Sequence, residues 1–361
     1  MNGFVYDAVG GRVVFGDGSV RAVPDELEAL GARTTMIIAS GSSRSAADAL
    51  HEQMGDRVVA RIDQVNPHVP LVDIERARNL AATSSSEAVV SIGGGSAVGL
   101  GKNIALALPV KHLAVPTTYS GSEMTPVHGH TADGVKRSGR DPQAKPNTVV
   151  YDPELSRALP MAVTAGSVMN AMAHCIEALY AERRNPVTSS IATEGLRALR
   201  SGLVRVVSDQ HDRDGRTSLL YGAFLAGTAL GAVGIAIHHK ICHVLGGTFG
   251  LSHGDANAVI LPQAVAATAP FEPEVMARVA EALERADPAA GLFDLAAAAG
   301  APSSLAQLGM KEVDLDRAAD LILENPGFSP RPVERLWIRQ LLDSAFLGKK
   351  PQSGPYPGRE S

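Results

Sequence analysis

Asn170 and His174 stand four residues apart, His239 and His243 repeat that spacing, and His253 follows after Gly246 and Gly247. Residues four apart on a helix share a face, so each pair can aim two side chains at one place. Three imidazoles and one carboxylate would make a site for Fe²⁺ or Zn²⁺. Here the fourth group is the amide of Asn170, which brings no charge to offset a divalent cation. A bound catalytic metal is therefore not expected. Cys175 and Cys242 sit beside His174 and His243 in sequence. Neighbours on a helix point about 100° apart, so both thiols read as small buried packing groups rather than ligands.

A second set of residues suits a phosphate. The run Ile92-Gly93-Gly94-Gly95-Ser96 lies between a β-rich stretch and a helical one. Glycines let a backbone approach phosphate oxygens, and the helix that follows offers unpaired N–H groups and the positive end of its dipole. The run is not a P-loop, since Lys102 is followed by Asn103 and Ser96 stands where that motif's first glycine belongs. A polar loop carrying Thr117, Thr118, Ser120 and Ser122 follows the next apolar run. Two such loops at the carboxyl ends of parallel strands describe a dinucleotide crevice. The stretch Ser40-Gly41-Ser42-Ser43-Arg44 has no acid to select the unphosphorylated ribose, so both NADH and NADPH are expected to serve.

These groups need a scaffold to hold them. Short apolar runs at 12–15, 35–39, 57–62, 88–92 and 112–115 read as strands. They alternate with helical stretches at 44–54, 72–83 and 96–108, a pattern that argues for a parallel sheet covered by helices. Past Pro153 the β-branched runs fade, and Ala- and Leu-rich stretches take over at 165–181, 187–207, 218–237, 239–245, 273–285 and 333–346. The fold class is therefore an α/β dinucleotide-binding domain over 1–155 followed by an all-α domain over 156–361. The uncharged stretch 218–237 is rich in Ala and Gly and reads as a buried central helix rather than a membrane span. The tail from Lys349 to Ser361 is rich in Gly and Pro and is expected to be mobile.

At 361 residues the chain is long enough for two cores. Its net charge of −5 shows no basic stripe, which excludes nucleic acid as a natural partner, and no membrane partner is expected. Two cysteines and no signal peptide suggest the cytoplasm.

Several motifs occur together and in order: FVYDAVGGRVVFGDGS, GGGSAVGLGK, PTTYSGSE, VVYDPELSRALP, HHKICHVLGG and SHGDAN. In this combination the chain resembles the iron-containing alcohol dehydrogenase-like superfamily, over nearly its whole length. The resemblance implies a dehydroquinate synthase-like fold. In metal-dependent members an Asp and three His bind the ion; by motif these positions fall on Asn170, His174, His239 and His253, with His243 as a further active-site histidine. Asn in place of Asp, in SVMNAMAHCIEALYA, is similar to the maleylacetate reductase branch, as are VKRSGRDPQAKPNTVVYDP and RPVERLWIRQLLDSAF.

That branch implies NAD(P)H-dependent reduction of the carbon–carbon double bond of maleylacetate to 3-oxoadipate, in aromatic-compound catabolism, by a homodimer. Histidine N–H groups would then steady the developing enolate, with His243 the first candidate proton donor and His239 the second. The small dicarboxylate substrate needs cationic partners, for which Lys240, His238, Arg137 and Arg331 are assigned, while Lys136 is assigned to the cofactor. The alternative is a metal-dependent alcohol or polyol dehydrogenase of the same superfamily, which the SHGDAN stretch resembles more closely.

Overall fold

Apolar runs that lack alternation are buried on both faces. The computed structural model, which describes residues 4–6, 8, 10–132 and 135–353 and only the backbone of residues 135 and 136, shows such runs at the centre of the first unit. The chain divides into a unit spanning Ala8–Leu159 and one that begins at Pro160 and also takes in residues 4–6.

In the first unit, β1 (Arg12–Phe15), α1 (Val23–Ala29), β2 (Thr35–Ala39), α2 (Arg44–Met54), β3 (Val58–Ile62), α3 (Leu71–Thr83), β4 (Ala88–Gly93), α4 (Gly95–Ala105) and β5 (Lys111–Pro116) follow in turn. A hairpin of β6 (Val127–Ala132) and β7 (Val135–Arg140) precedes β8 (Thr148–Tyr151). Six strands pair in parallel in the order β1-β8-β5-β4-β2-β3, and the hairpin stands apart as a two-stranded antiparallel sheet. Every residue of β2 is buried. Met36 and Ile38 pack with Ile74 of α3 and Leu100 of α4, while Ile37 and Ala39 pack with Leu27 of α1 and Leu50 of α2. A sheet covered on both faces loses the polar alternation of a half-exposed one, which is why these strands read as continuous apolar runs. From β2 the chain crosses to β3 on one side, and from β4 to β5 on the other. The carboxyl ends of β2 and β4 therefore flank the point where the winding reverses, the position where open parallel sheets bind ligands.

The second unit is helical: α5 (Met161–Tyr180), α6 (Pro186–Ser208), α7 (Arg213–Val233), α8 (Ile237–Phe249), α9 (His253–Thr268), α10 (Pro273–Leu283), α11 (Pro288–Ala298), α12 (Leu315–Glu324) and α13 (Arg335–Phe346). The uncharged stretch is α7 only as far as Val233; Gly234, at φ +94°, ends it, and a separate helix starts at Ile237. Its small residues let it lie directly on α6: a Cβ on Gly202 would fall 2.7 Å from the carbonyl oxygen of Gly215. Among the described residues no helix is long and apolar enough to cross a membrane. Cys242 joins Ile241 and Leu245 in a core with residues of α9, α12 and α13, and Cys175 is fully buried, so both thiols pack as expected.

The tail differs from expectation. Gln263 Nε2 donates to the carbonyl of Lys349 (2.7 Å), Lys350 pairs with Asp294 (2.7 Å), and Ser353 Oγ bonds Asp287 (2.9 Å). These contacts tie residues 349–353 to the helical unit; the rest of the tail, 354–361, lies outside the described residues.

Candidate active site

In the α/β unit, Gly93 ends β4 with φ +152°, and a Cβ there would lie 2.8 Å from Ser40 Oγ and 2.9 Å from Ala97 Cβ. The residue after β2 and the start of α4 can approach this closely only across a glycine. Gly94, the N-cap of α4, similarly faces Thr118, whose Cγ2 would be 3.0 Å from an added Cβ. Gly95 is exposed, and its nearest would-be neighbours are Ser120 Oγ and Ser122 Oγ, both at 3.8 Å. The backbone N–H of Thr117 donates to Gly93 (3.0 Å), and Ser40 Oγ bonds Ser43 Oγ (2.9 Å). Ser96 is half-buried in the first turn of α4. Ser40, Gly93, Gly94, Gly95, Ser96, Thr117, Thr118, Ser120 and Ser122 thus gather at the carboxyl ends of β2, β4 and β5, beside the winding reversal. Lys136 belongs to β7, and its side chain lies outside the described residues. Arg137, assigned to the substrate, is exposed on the same strand.

Sequence reasoning missed the cation behind this crevice. Lys102 on α4 is buried, and its Nζ donates to the carbonyls of Ser122 (2.6 Å), Thr125 (2.8 Å) and Val127 (2.7 Å). Burial pushes its pKa down to about 7. One helix therefore begins at the glycine run and also fixes the path of the serine loop.

In the helical unit, Asn170 and His174 do share a face of α5, and Glu177 extends that stripe by a turn. All three meet His239. Asn170 Oδ1 lies 3.3 Å from His239 Nε2, the His174 ring stacks on that of His239 with centroids 4.7 Å apart, and Glu177 Oε2 lies 2.7 Å from His239 Nδ1. Down α8, the His243 ring is 6.4 Å from His239 and 6.0 Å from His253, the first residue of α9. The close crossing of α5 and α9 depends on Gly166 and Gly254, where a Cβ on either would lie 2.9 or 3.2 Å from the other's carbonyl carbon. The five expected residues are therefore brought together. Asn170, His174 and His239 are buried, and His243 and His253 are half-buried at the more open end.

The electrostatics favour neutral rings inside. Burial, helped by the neighbouring His239, holds the His174 pKa well below the usual imidazole range. Burial also raises the Glu177 carboxyl, opposed by the nearby histidines and two backbone N–H groups. Glu177 went unnoticed in the sequence. The available signal was a lone carboxylate in an apolar helix, one turn beyond His174.

One substrate assignment is corrected. His238 is fully buried, edge-on to His239 and 3.6 Å from Cys242 Sγ, and burial pushes its pKa down to about 3. A neutral core ring cannot serve as a cation for a carboxylate. Arg331, also assigned to the substrate, is half-buried and lies over Phe271 (5.6 Å) and Trp337 (5.0 Å), which orient its guanidinium. Lys240 is half-buried, its stem packed against Gly327 of the 325–331 segment.

The set Asn170, His174, His239 and His253 offers three imidazoles and a neutral amide, with no anionic donor to offset a divalent cation; three imidazoles by themselves are a known zinc set. Ligand atoms of Glu177, His238 and His239 do come within 4.8 Å of one another. The Glu177 oxygens, however, already take up the N–H groups of Ala236 (2.8 Å) and His239 (3.2 Å) as well as the His239 ring.

A glycine-loop crevice at the winding reversal of the α/β unit and an inward histidine cluster in the helical unit together define a class. Residues 10–153 match the family described as "Iron-containing alcohol dehydrogenase", and residues 164–346 match "Fe-containing alcohol dehydrogenase family, C-terminal". The chain belongs to the iron-containing alcohol dehydrogenase family and is an oxidoreductase. Within that family it is 43% identical to the maleylacetate reductase of Sphingobium indicum, over 96% of this chain and 99% of the other. The crystal structure of maleylacetate reductase from Agrobacterium tumefaciens superposes with a TM-score of 0.92 at 43% identity, covering 97% of this chain and all of that one. An iron-containing alcohol dehydrogenase from Corynebacterium glutamicum also reaches a TM-score of 0.92, at 37% identity over 97% and 99% of the two chains.

Proposed function

We propose that this oxidoreductase is a maleylacetate reductase that uses NADH or NADPH and works without a metal. The observation that carries the reading is the contact between Asn170 and His239, a neutral amide among the imidazoles that brings no charge to offset a divalent cation. Similarity to maleylacetate reductases along nearly the full chain supports the same substrate.

Maleylacetate carries a double bond conjugated to a ketone. Hydride from the nicotinamide adds to the double-bond carbon distal to the ketone, and the electron pair moves onto the ketone oxygen as an enolate. Imidazole N–H groups steady that charge, and a proton delivered to the carbon next to the ketone completes the reduction. An enolate is more stable than the alkoxide of an alcohol dehydrogenase, so it demands less of its surroundings. His243 is the first donor because it is half-buried, whereas His239 is enclosed. Lys240, Arg137 and Arg331 remain the candidate carboxylate partners. Serines and Arg44 after β2, with no acid among them, suit either nicotinamide cofactor. The test is NADH and NADPH oxidation against maleylacetate, 2-oxo acids, aldehydes and dihydroxyacetone; turnover confined to the aldehydes or the polyol would overturn the proposal.

A second reading, a metal-dependent alcohol dehydrogenase, is favoured by the proximity of Glu177, His238 and His239. It requires activity to vanish on chelation and return with Fe²⁺ or Zn²⁺.

A further inference from the structure

Helix α8 starts without help from its own sequence. Its N-cap is Ala236, which has no side chain to bond the first N–H groups. Unpaired N–H groups at a buried helix start need acceptors from elsewhere. Glu177 supplies them from α5: Oε2 accepts from the N–H of Ala236 (2.8 Å) and Oε1 from the N–H of His239 (3.2 Å). The same Oε2 lies 2.7 Å from Nδ1 of the His239 ring. Both Glu177 and His239 are buried, so water does not compete for these contacts.

We propose that Glu177 is a positioning residue, which holds the His239 ring in one orientation and one tautomer. In an imidazole, the hydrogen bond made by one nitrogen fixes what the other can do. With Nδ1 committed to the carboxylate, Nε2 is the ring nitrogen left facing Asn170. Asn170, His174 and Glu177 lie at i, i+4 and i+7 of α5, so one rigid helix contacts the ring at Nε2, on its face and at Nδ1. Anchoring the α8 backbone through the same carboxylate sets the ring's distance from α5 as well as its direction. This role rests on the reading that His239 takes part in the chemistry.

Glu177→Gln weakens the hold on the ring while keeping the size and shape of the side chain. The amide's single oxygen replaces only one of the two carboxylate oxygens and carries no charge, so Nδ1 faces an NH₂ or a neutral carbonyl in place of the carboxylate. The expected result is a folded enzyme with NADH-dependent maleylacetate turnover about 10–100-fold lower in kcat, the range seen when a partner of an active histidine is lost, and an unchanged KM for NADH. Wild-type kcat in Glu177→Gln, alongside a deficient His239→Gln, overturns the proposal. If His239→Gln itself retains kcat, the reading of His239 fails instead. A second measurement needs no substrate and no stable Glu177 variant: ring ¹⁵N shifts of the wild-type enzyme, with His239 assigned by its loss in His239→Gln. A single fixed tautomer is expected. Averaged shifts for the two ring nitrogens overturn the proposal whatever the kinetics show.

Discussion

Asn170 Oδ1 and His239 Nε2 lie 3.3 Å apart in the interior of the helical unit, an amide and an imidazole facing each other. The contact links α5 to α8 across 69 residues of sequence.

The first prediction concerns that pair. Prolonged chelation should leave NADH-dependent reduction intact, and added Fe²⁺ or Zn²⁺ should not increase it. Asn170→Asp supplies the missing negative charge, so the variant should retain more metal than the wild type after dialysis against Zn²⁺. Loss of wild-type activity on chelation, with recovery on adding metal, would contradict the assignment.

The second concerns the glycine run. A Cβ on Gly95 meets nothing closer than 3.8 Å in the protein, so Gly95→Val should fold normally. Its side chain would nevertheless occupy the space over the α4 N-terminus where a pyrophosphate is expected. The NADH dissociation constant should rise at least about tenfold, since even 1.4 kcal/mol of lost contact gives that factor. Titration of NADH fluorescence checks this, and an unchanged constant removes the loop from the cofactor site.

The third tests chemistry against packing at His243. A general acid contributes roughly 10²–10⁴-fold, so His243→Ala should lower kcat by that range while NADH still binds. His243→Gln keeps a donor and much of the volume but releases no proton at neutral pH. Near-wild-type kcat in the Gln variant would reduce His243 to a polar contact. A histidine that only packs would instead show its loss in the melting temperature.

The fourth is a pH effect in the α/β unit. His112 is buried beneath Gly101 with Nε2 2.8 Å from Ser91 Oγ, and burial, followed by the charge of Lys102, pushes its pKa down to about 3. An unfolded chain takes up this proton near pH 6.5, whereas the folded one does not until about pH 3. Stability is therefore lost as pH falls through this window, by about 2 kcal/mol at pH 5 from this group. Denaturant unfolding of wild type and His112→Gln at pH 8 and pH 5 isolates the effect as a difference in pH dependence. Equal dependence in both proteins would mean that His112 is protonated in the fold.

Much of the scaffold was legible because it is local. The runs at 12–15 and 35–39 are β1 and β2 to the residue, and 44–54 is α2, since apolar continuity or helical period between turn residues reports the backbone directly. The hairpin β6–β7 escaped notice because HGH and KRSGR carry no apolar run, the signal by which the other strands were read. Helix α9 was missed because Pro262 lies within it, and proline ordinarily marks an end.

The candidate site divides in the same way. Spacing alone put Asn170 with His174 and His239 with His243, because a helix fixes what lies one turn away. Which nitrogen of His239 meets which side chain depends on α5 crossing α8 and on Glu177 anchoring the start of α8, contacts made about 60 residues apart in the chain. The same crossing buries His238, one residue from His239, in the core, and Phe271 and Trp337 meet Arg331 only once the helices have packed. Residue type and local period determined which groups were available for chemistry. Burial and long-range hydrogen bonding, which exist only in the packed chain, decided which of them are enclosed in the core and which stand at its half-buried end.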